Sequence, residues 1–251
     1  MPIEEIALLR RITRGLGVWS MLLVPALAVL GCGSEEGEEE ETCAVDDKYK
    51  PPIVPADFSA TVDNPLYPLP VGRKWTYKEG IQDVVVSVLP DKKQVMGVDC
   101  VVVRDTVTAN GVTIEDTWDW YAQHKDGSVW YFGEDTTEYA DGKPVSKEGS
   151  WEAGVDGAQP GMIIPASPTV GSKYRQEYYA CEAEDMGEVI ETNVSFTGPT
   201  GSYTGCLKTH DYTPLDPEVN EQKTFCPDVG LVLAVDLVTG EKEELQKVEG
   251  P

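Results

Sequence analysis

VVVRDTVTANGVTIEDTWDWYAQHKDGSVWYFGEDTTEY, residues 101–139, carries the information that sets the fold. Valine, threonine, tyrosine and tryptophan crowd it, and apolar and polar residues alternate with period two, the spacing of a strand and not of a helix. Asn110-Gly111 separates two such runs and is the strongest short hairpin signal; Asp126-Gly127 and, just beyond, Asp141-Gly142 repeat it. The same pattern continues in both directions. Earlier and central runs are Arg73–Glu79, Asp83–Leu89, Val95–Thr106, Val112–His124, Val129–Gly133 and Thr137–Ala140; later ones are Lys173–Tyr179, Glu188–Phe196, Tyr203–Tyr212, Gln222–Cys226, Leu231–Val238 and Glu243–Val248. From residue 61 onward no stretch of helical period interrupts them. The expected fold is all-β: a single antiparallel domain over 61–251, either a sandwich or a curved sheet closing toward a barrel. One Gly/Pro-rich segment, Ala153–Thr169, has no strand pattern and is expected to be a long loop lying over an open end of the sheet.

The chain has 251 residues and 44 Asp plus Glu against 20 Lys plus Arg, a net charge of −24. That balance excludes nucleic acid as a partner, because phosphate contacts need clustered basic residues. The two histidines, His124 and His210, lack a nearby GxSxG motif, so a hydrolase triad is not expected.

The N-terminus reads as an address. Arg10, Arg11 and Arg14 precede the apolar run Leu16–Leu30, which is too short to span a bilayer and ends at Gly31-Cys32. This junction resembles the bacterial lipobox, which implies a signal peptide over 1–31 and lipidation of Cys32, with palmitate or similar acyl chains anchoring the protein to a membrane. Gly33, rather than Asp, follows Cys32, which favours sorting to the outer membrane of a Gram-negative envelope. Residues 32–60 begin with an acidic, glutamate-rich run and contain Pro51, Pro52 and Pro55, the composition of a disordered tether.

Five stretches, NPLYPLPVGRKWTY (64–77), residues 101–139, GSWEAGVDGAQPGMIIPA (149–166), VGSKYRQEYYACEAEDMGEV (170–189) and TPLDPEVNEQKTFCPDVGLV (213–232), resemble a family of uncharacterised bacterial lipoproteins and secreted proteins. The resemblance implies one exported domain and assigns no activity. Cys181, Cys206 and Cys226 depart from that family's usual residues.

A hairpin centred near residue 216 places Cys206 opposite Cys226, within reach of a disulfide. Cys100 lies in an apolar strand, as a buried thiol does, and Cys43 sits on the tether as a candidate for the unpaired cysteine or for a bridge to another chain.

A two-residue turn at Asp126-Gly127 would set Gln123 opposite Trp130, Tyr121 opposite Phe132, Asp119 opposite Glu134, Thr117 opposite Thr136 and Glu115 opposite Glu138. The other face, Trp118, Trp120, Ala122, Val129 and Tyr131, then reads as the core stripe. Two directly opposed carboxylate pairs are destabilising unless relieved. Relief comes from a divalent cation such as Ca²⁺ bound by Glu115, Asp119, Glu134 and Glu138, from a carboxyl that keeps its proton, or from solvation, the reading preferred on sequence. The aromatics Trp75, Trp118, Trp120, Trp130, Trp151, Tyr121 and Tyr131 serve as core and cross-strand filler in preference to a sugar-stacking platform. Two functions follow. The preferred one is a cell-envelope lipoprotein whose β domain binds an apolar ligand, a glycan or an envelope protein without catalysis. The alternative is a carboxylate-dependent hydrolase acting on glycans, which requires Asp119 and Glu134 to flank one cleft.

Overall fold

The structure is a computed structural model and describes residues 45–251. The expected signal peptide over 1–31, the lipidation site Cys32 and Cys43 lie outside the described residues. The strands, in chain order, are β1 (Phe58–Ser59), β2 (Lys74–Glu79), β3 (Gln82–Val95), β4 (Val98–Ala109), β5 (Val112–His124), β6 (Val129–Ala140), β7 (Lys143–Ser146), β8 (Trp151–Glu152), β9 (Gln159–Ile164), β10 (Lys173–Arg175), β11 (Glu177–Tyr178), β12 (Met186–Gly198), β13 (Gly201–Tyr212), β14 (Asn220–Cys226), β15 (Gly230–Asp236) and β16 (Lys242–Glu249).

All neighbours are antiparallel, and the path across the sheet runs β10-β12-β13-β14-β15-β16-β2-β3-β4-β5-β6-β9-β11. Two meanders, β2 to β6 and β12 to β16, are therefore joined side by side where β2 pairs with β16. The far ends of the path meet as well. β10 pairs with β12 and β11 pairs with β9, yet β10 and β11 are consecutive, separated only by Gln176. One short stretch of chain thus belongs to both ends, and the sheet curves into a nearly closed barrel. This removes most of the unpaired edge that an open sheet would expose. The backbones are tight at this seam. A Cβ on Gly161 of β9 would overlap the Gln176 carbonyl and come within 2.6 Å of the Glu177 nitrogen.

Turn chemistry sets most of the register. Asn110 and Gly111 both take positive φ, 51° and 77°, the pairing a type I′ hairpin needs, and Asp141-Gly142 does the same at 51° and 72°. The connection at Asp126-Gly127 is longer than the expected two residues: His124 and Ser128 close it through a backbone hydrogen bond of 2.9 Å. Next to it the register is offset by one residue, so Tyr121 faces Tyr131 and Gln123 faces Val129. An extra residue in β6, at Phe132–Gly133, restores the expected alignment beyond it, with Asp119 opposite Glu134 and Glu115 opposite Glu138.

Three expectations are revised. Ala153–Thr169 is not strandless, because β9 lies within it and pairs with both β6 and β11. Residues 45–60, assigned by composition to the tether, lie against the barrel: Pro55–Asp57 forms a 3₁₀ turn, β1 pairs with β5, and Tyr49 donates to the Pro160 carbonyl at 3.0 Å. β1 also carries Phe58 onto Trp130 and Phe132, which explains why a short, proline-containing segment is held down. Finally, β3 runs through Pro90-Asp91-Lys92-Lys93, which looks like a turn, and the true reversal is at Met96-Gly97, both in positive φ.

Candidate functional site

Strand alternation gives the barrel an inside and an outside, and the inside is mixed. Neighbouring strands contribute rows of inward side chains. One row contains Tyr77, Val84, Val107, Glu115 and Glu138, and the next contains Trp75, Val86, Asp105, Thr117 and Thr136. A third joins Val88, Val103, Asp119 and Glu134. The carboxylate face of the β5–β6 hairpin therefore points into the lumen. Trp118 and Trp120 lie on the opposite face, under the side chains of Arg104 and Lys93, whose charges sit 5.1 and 4.6 Å from the ring centres. The preferred solvated reading of these carboxylates does not hold: Glu115, Asp119, Glu134 and Glu138 are all buried, between 2 and 7% exposed.

Buried hydroxyls take up part of their hydrogen-bonding demand. Tyr131 donates to Asp119 Oδ1 at 2.7 Å, Thr117 donates to Glu115 at 3.2 Å, and Thr136 donates to Glu134 Oε2 at 3.1 Å. Thr117 and Thr136, opposed in the middle row, are themselves 2.8 Å apart and lie between the two carboxylate pairs. The four carboxylates remain two cross-strand pairs spaced by these threonines. Among the described residues, no group of three or more His, Cys, Asp or Glu side chains is placed to hold a metal ion.

Burial raises the proton affinity of these groups, as removal of water from a charge must. Asp119 is pushed up to about 7 by burial, against the hydrogen bond from Tyr131. Glu134 is raised well above the ordinary range by burial and then by the charges of Asp119 and Glu177. Burial carries Glu115 to about 8, with Thr117 opposing. Of the three forms of relief, the retained proton is the one with which the buried geometry agrees.

Between the two meanders the lumen holds a cavity of about 90 Å³, enough for several water molecules or a small organic group. Its aromatic lining is Tyr67, Trp75, Tyr77, Tyr121, Tyr131 and Phe225; its acidic lining is Asp105, Asp119, Glu177, Asp185, Asp211 and Glu243. Lys223 is the one basic residue among the lining. It stands 3.3 Å from both Asp211 and Glu221 and is only 12% exposed, so its charge is matched on the spot. Gln176, the residue at the barrel seam, donates to Asp211 at 2.9 Å and ties the seam to the lumen. Segment 62–70 crosses one mouth. Asn64 is fixed to Gly127 and Gln123, and Tyr67 reaches in to meet the rings of Tyr121 and Phe225 at 5.5 and 6.1 Å.

Of the residues singled out from sequence, Asp119 lines the cavity, whereas Glu115, Glu134 and Glu138 are buried in the wall beside it. Trp75, Tyr121 and Tyr131 face the cavity; Trp151 donates its indole N–H to Glu177 at 2.8 Å. Ile163, from the segment expected to form a lid, is part of the wall. Sequence reasoning missed Asp105, Glu177, Asp211, Lys223 and Glu243. The available signal was a charged residue on the alternating apolar face of a strand, as with Asp105 between Val103 and Val107.

Cys206 and Cys226 form a disulfide, as the hairpin arithmetic required; Leu207 and Phe225 pair immediately beside it. Cys100 is buried and free, and Cys181 is disulfide-bonded. No protein family, curated protein or solved structure matches the chain.

Proposed function

We propose that the protein is an exported, lipid-anchored envelope protein whose barrel binds a small ligand in its lumen without transforming it. The observation that carries this reading is the cavity: aromatic faces on several strands converge with buried carboxyls on a space that segment 62–70 partly covers. A mostly apolar concavity with a few placed polar groups is what small-molecule sites share. The lipobox-like Gly31-Cys32 supplies the anchor and the envelope address. Resemblance to exported bacterial lipoproteins supports the same address.

The hydrolase reading needs Asp119 and Glu134 to flank a single cleft. Asp119 lines the cavity and Glu134 does not, so binding is the better supported use of the lumen. Native mass spectrometry of the full chain, purified from its own envelope, tests the proposal. A retained small molecule that is lost when Ile163→Trp fills the cavity wall supports it. Wild type and variant each appearing at its own ligand-free mass across envelope preparations overturns it. The anchor is tested separately: Cys32→Ala should release the protein from membranes or leave it unprocessed, and unchanged fractionation and mature mass would refute lipidation.

A further inference from the structure

Resting on that lumen-binding reading, we propose that the ligand is a compact organic ammonium ion, held by the buried carboxyls of Asp105 on β4 and Glu243 on β16 and enclosed by the aromatic wall. Asp105 and Glu243 are 4% and 7% exposed, both line the cavity, and Asp105 Oδ1 and Glu243 Oε1 are buried without accepting a hydrogen bond from the protein. Buried acceptors are nearly always satisfied, so these two oxygens mark where donors are wanted. No protein donor reaches these two oxygens, although the buried Glu79 of β2 lies directly across the ladder from Glu243. Lys223, the basic residue of the lining, is engaged by Asp211 and Glu221, and Tyr131 is engaged by Asp119.

What the lumen asks of a ligand is therefore positive charge and N–H donors. A bare metal ion fits poorly, because no three acidic or other ligating side chains among the described residues converge on one point. An ammonium on an organic body fits better. The carboxyls come from separate strands with Trp75, Tyr77 and Val86 of β2 and β3 between them, so a ligand must have apolar length as well as charge. Tyr67, Tyr121 and Trp75 line the cavity around that body, and aromatic rings attract ammonium groups through their quadrupole. The net charge of −24 draws cations toward the protein from every side.

Titration calorimetry on the full chain with 1,4-diaminobutane, its neutral counterpart 1,4-butanediol and the small uncharged aromatic benzene tests this. The diamine should bind the wild type with one-to-one stoichiometry, the diol should not, and Asp105→Asn and Glu243→Gln should each weaken the diamine at least tenfold. The wild-type contrast between diamine and diol needs no variant to fold. Equal diamine binding by wild type and both variants would place the cation on the acidic exterior and overturn the proposal. If benzene binds wild type but not Ile163→Trp while the diamine fails, the ammonium assignment falls and the lumen-binding reading stands. If neither diamine nor benzene binds, both fall.

Discussion

Lys223 sits 3.3 Å from Asp211 in a lumen where the surrounding charge is acidic, and Glu221 contacts the same ammonium at the same distance. Burial works against the charge on Lys223, and the Asp211 and Glu221 carboxylates outweigh it, holding the ammonium protonated well above its ordinary range. Lys223→Met should therefore be among the most damaging single changes. Removing one member of a buried charge set leaves the others uncompensated, at a cost of roughly 3–5 kcal/mol. Denaturant unfolding at pH 7 measures this. The deficit should shrink at pH 5, where the freed Glu221, pushed up to about 7 by burial, is protonated.

Stability should fall as pH rises, the reverse of the usual acid lability. Asp119, Glu221 and Glu243 are raised to about 7 and Glu115 to about 8, burial being the leading cause for each. Between the ordinary carboxylate range and these values the folded protein binds protons that the unfolded chain has released, so unfolding becomes easier as pH increases. The stabilisation is complete below the unfolded values and lost through pH 7–8. Calorimetric melting should place Tm at pH 5 above that at pH 8 by about 5–10 °C. A higher Tm at pH 8 would contradict the protonated lumen.

Asp119→Asn isolates one of these protons. The amide carbonyl can still accept from Tyr131, and no charge has to be desolvated. The variant should exceed wild type by roughly 2 kcal/mol at pH 8 and show little gain at pH 5. Urea unfolding at both values reads the difference.

The strands were legible in the sequence to within a few residues, because period-two alternation and the Asn110-Gly111 and Asp141-Gly142 turns are local signals. The burial of the acidic face was not. Reading Trp120, Ala122, Val129 and Tyr131 as core is right, since all are buried, but reading Asp119 as solvated assumes that only one face of the hairpin is covered, and here the acidic face is buried in the lumen as well. Nor could spacing reveal the extra residue at Phe132–Gly133, which keeps Asp119 opposite Glu134 while shifting Tyr121 onto Tyr131. The cavity depends on β4 and β16 facing one lumen, a relation between distant strands that no local pattern encodes.

Gly161→Ala should open the seam. A methyl group there would collide with the Gln176 carbonyl of the opposing backbone, which has no rotamer with which to yield. Overpacking of this kind costs about 1–3 kcal/mol, with more expected against backbone. Hydrogen exchange should show faster exchange of β9 and β11 amides than of β3 and β4. Uniform protection in the variant would show that the seam tolerates the methyl.

Disulfide mapping without reduction should recover Cys206 joined to Cys226 and a free thiol at Cys100. Since Cys181 is bonded too, the chain leaves Cys32 and Cys43 as its partners. If Cys32 is lipidated, as proposed, the Cys181 peptide should carry Cys43. Replacing Cys206 and Cys226 by Ala should cost about 3 kcal/mol of unfolding free energy; a smaller loss than 1 kcal/mol in denaturant would assign the bridge a minor role.

The side-by-side pairing of β2 with β16 also dictates an order of assembly. Hairpins within each meander need only nearby partners and close within microseconds. The join at β2–β16 needs partners distant in sequence, and such contacts govern the folding time of β proteins, commonly milliseconds to seconds. Until residues 242–249 are available, one edge of β2 has no neighbour, and the strand is open to pairing with other chains. A nascent chain can thus hold both meanders in outline and still have no lumen, so the cavity comes into being only with the last zipper.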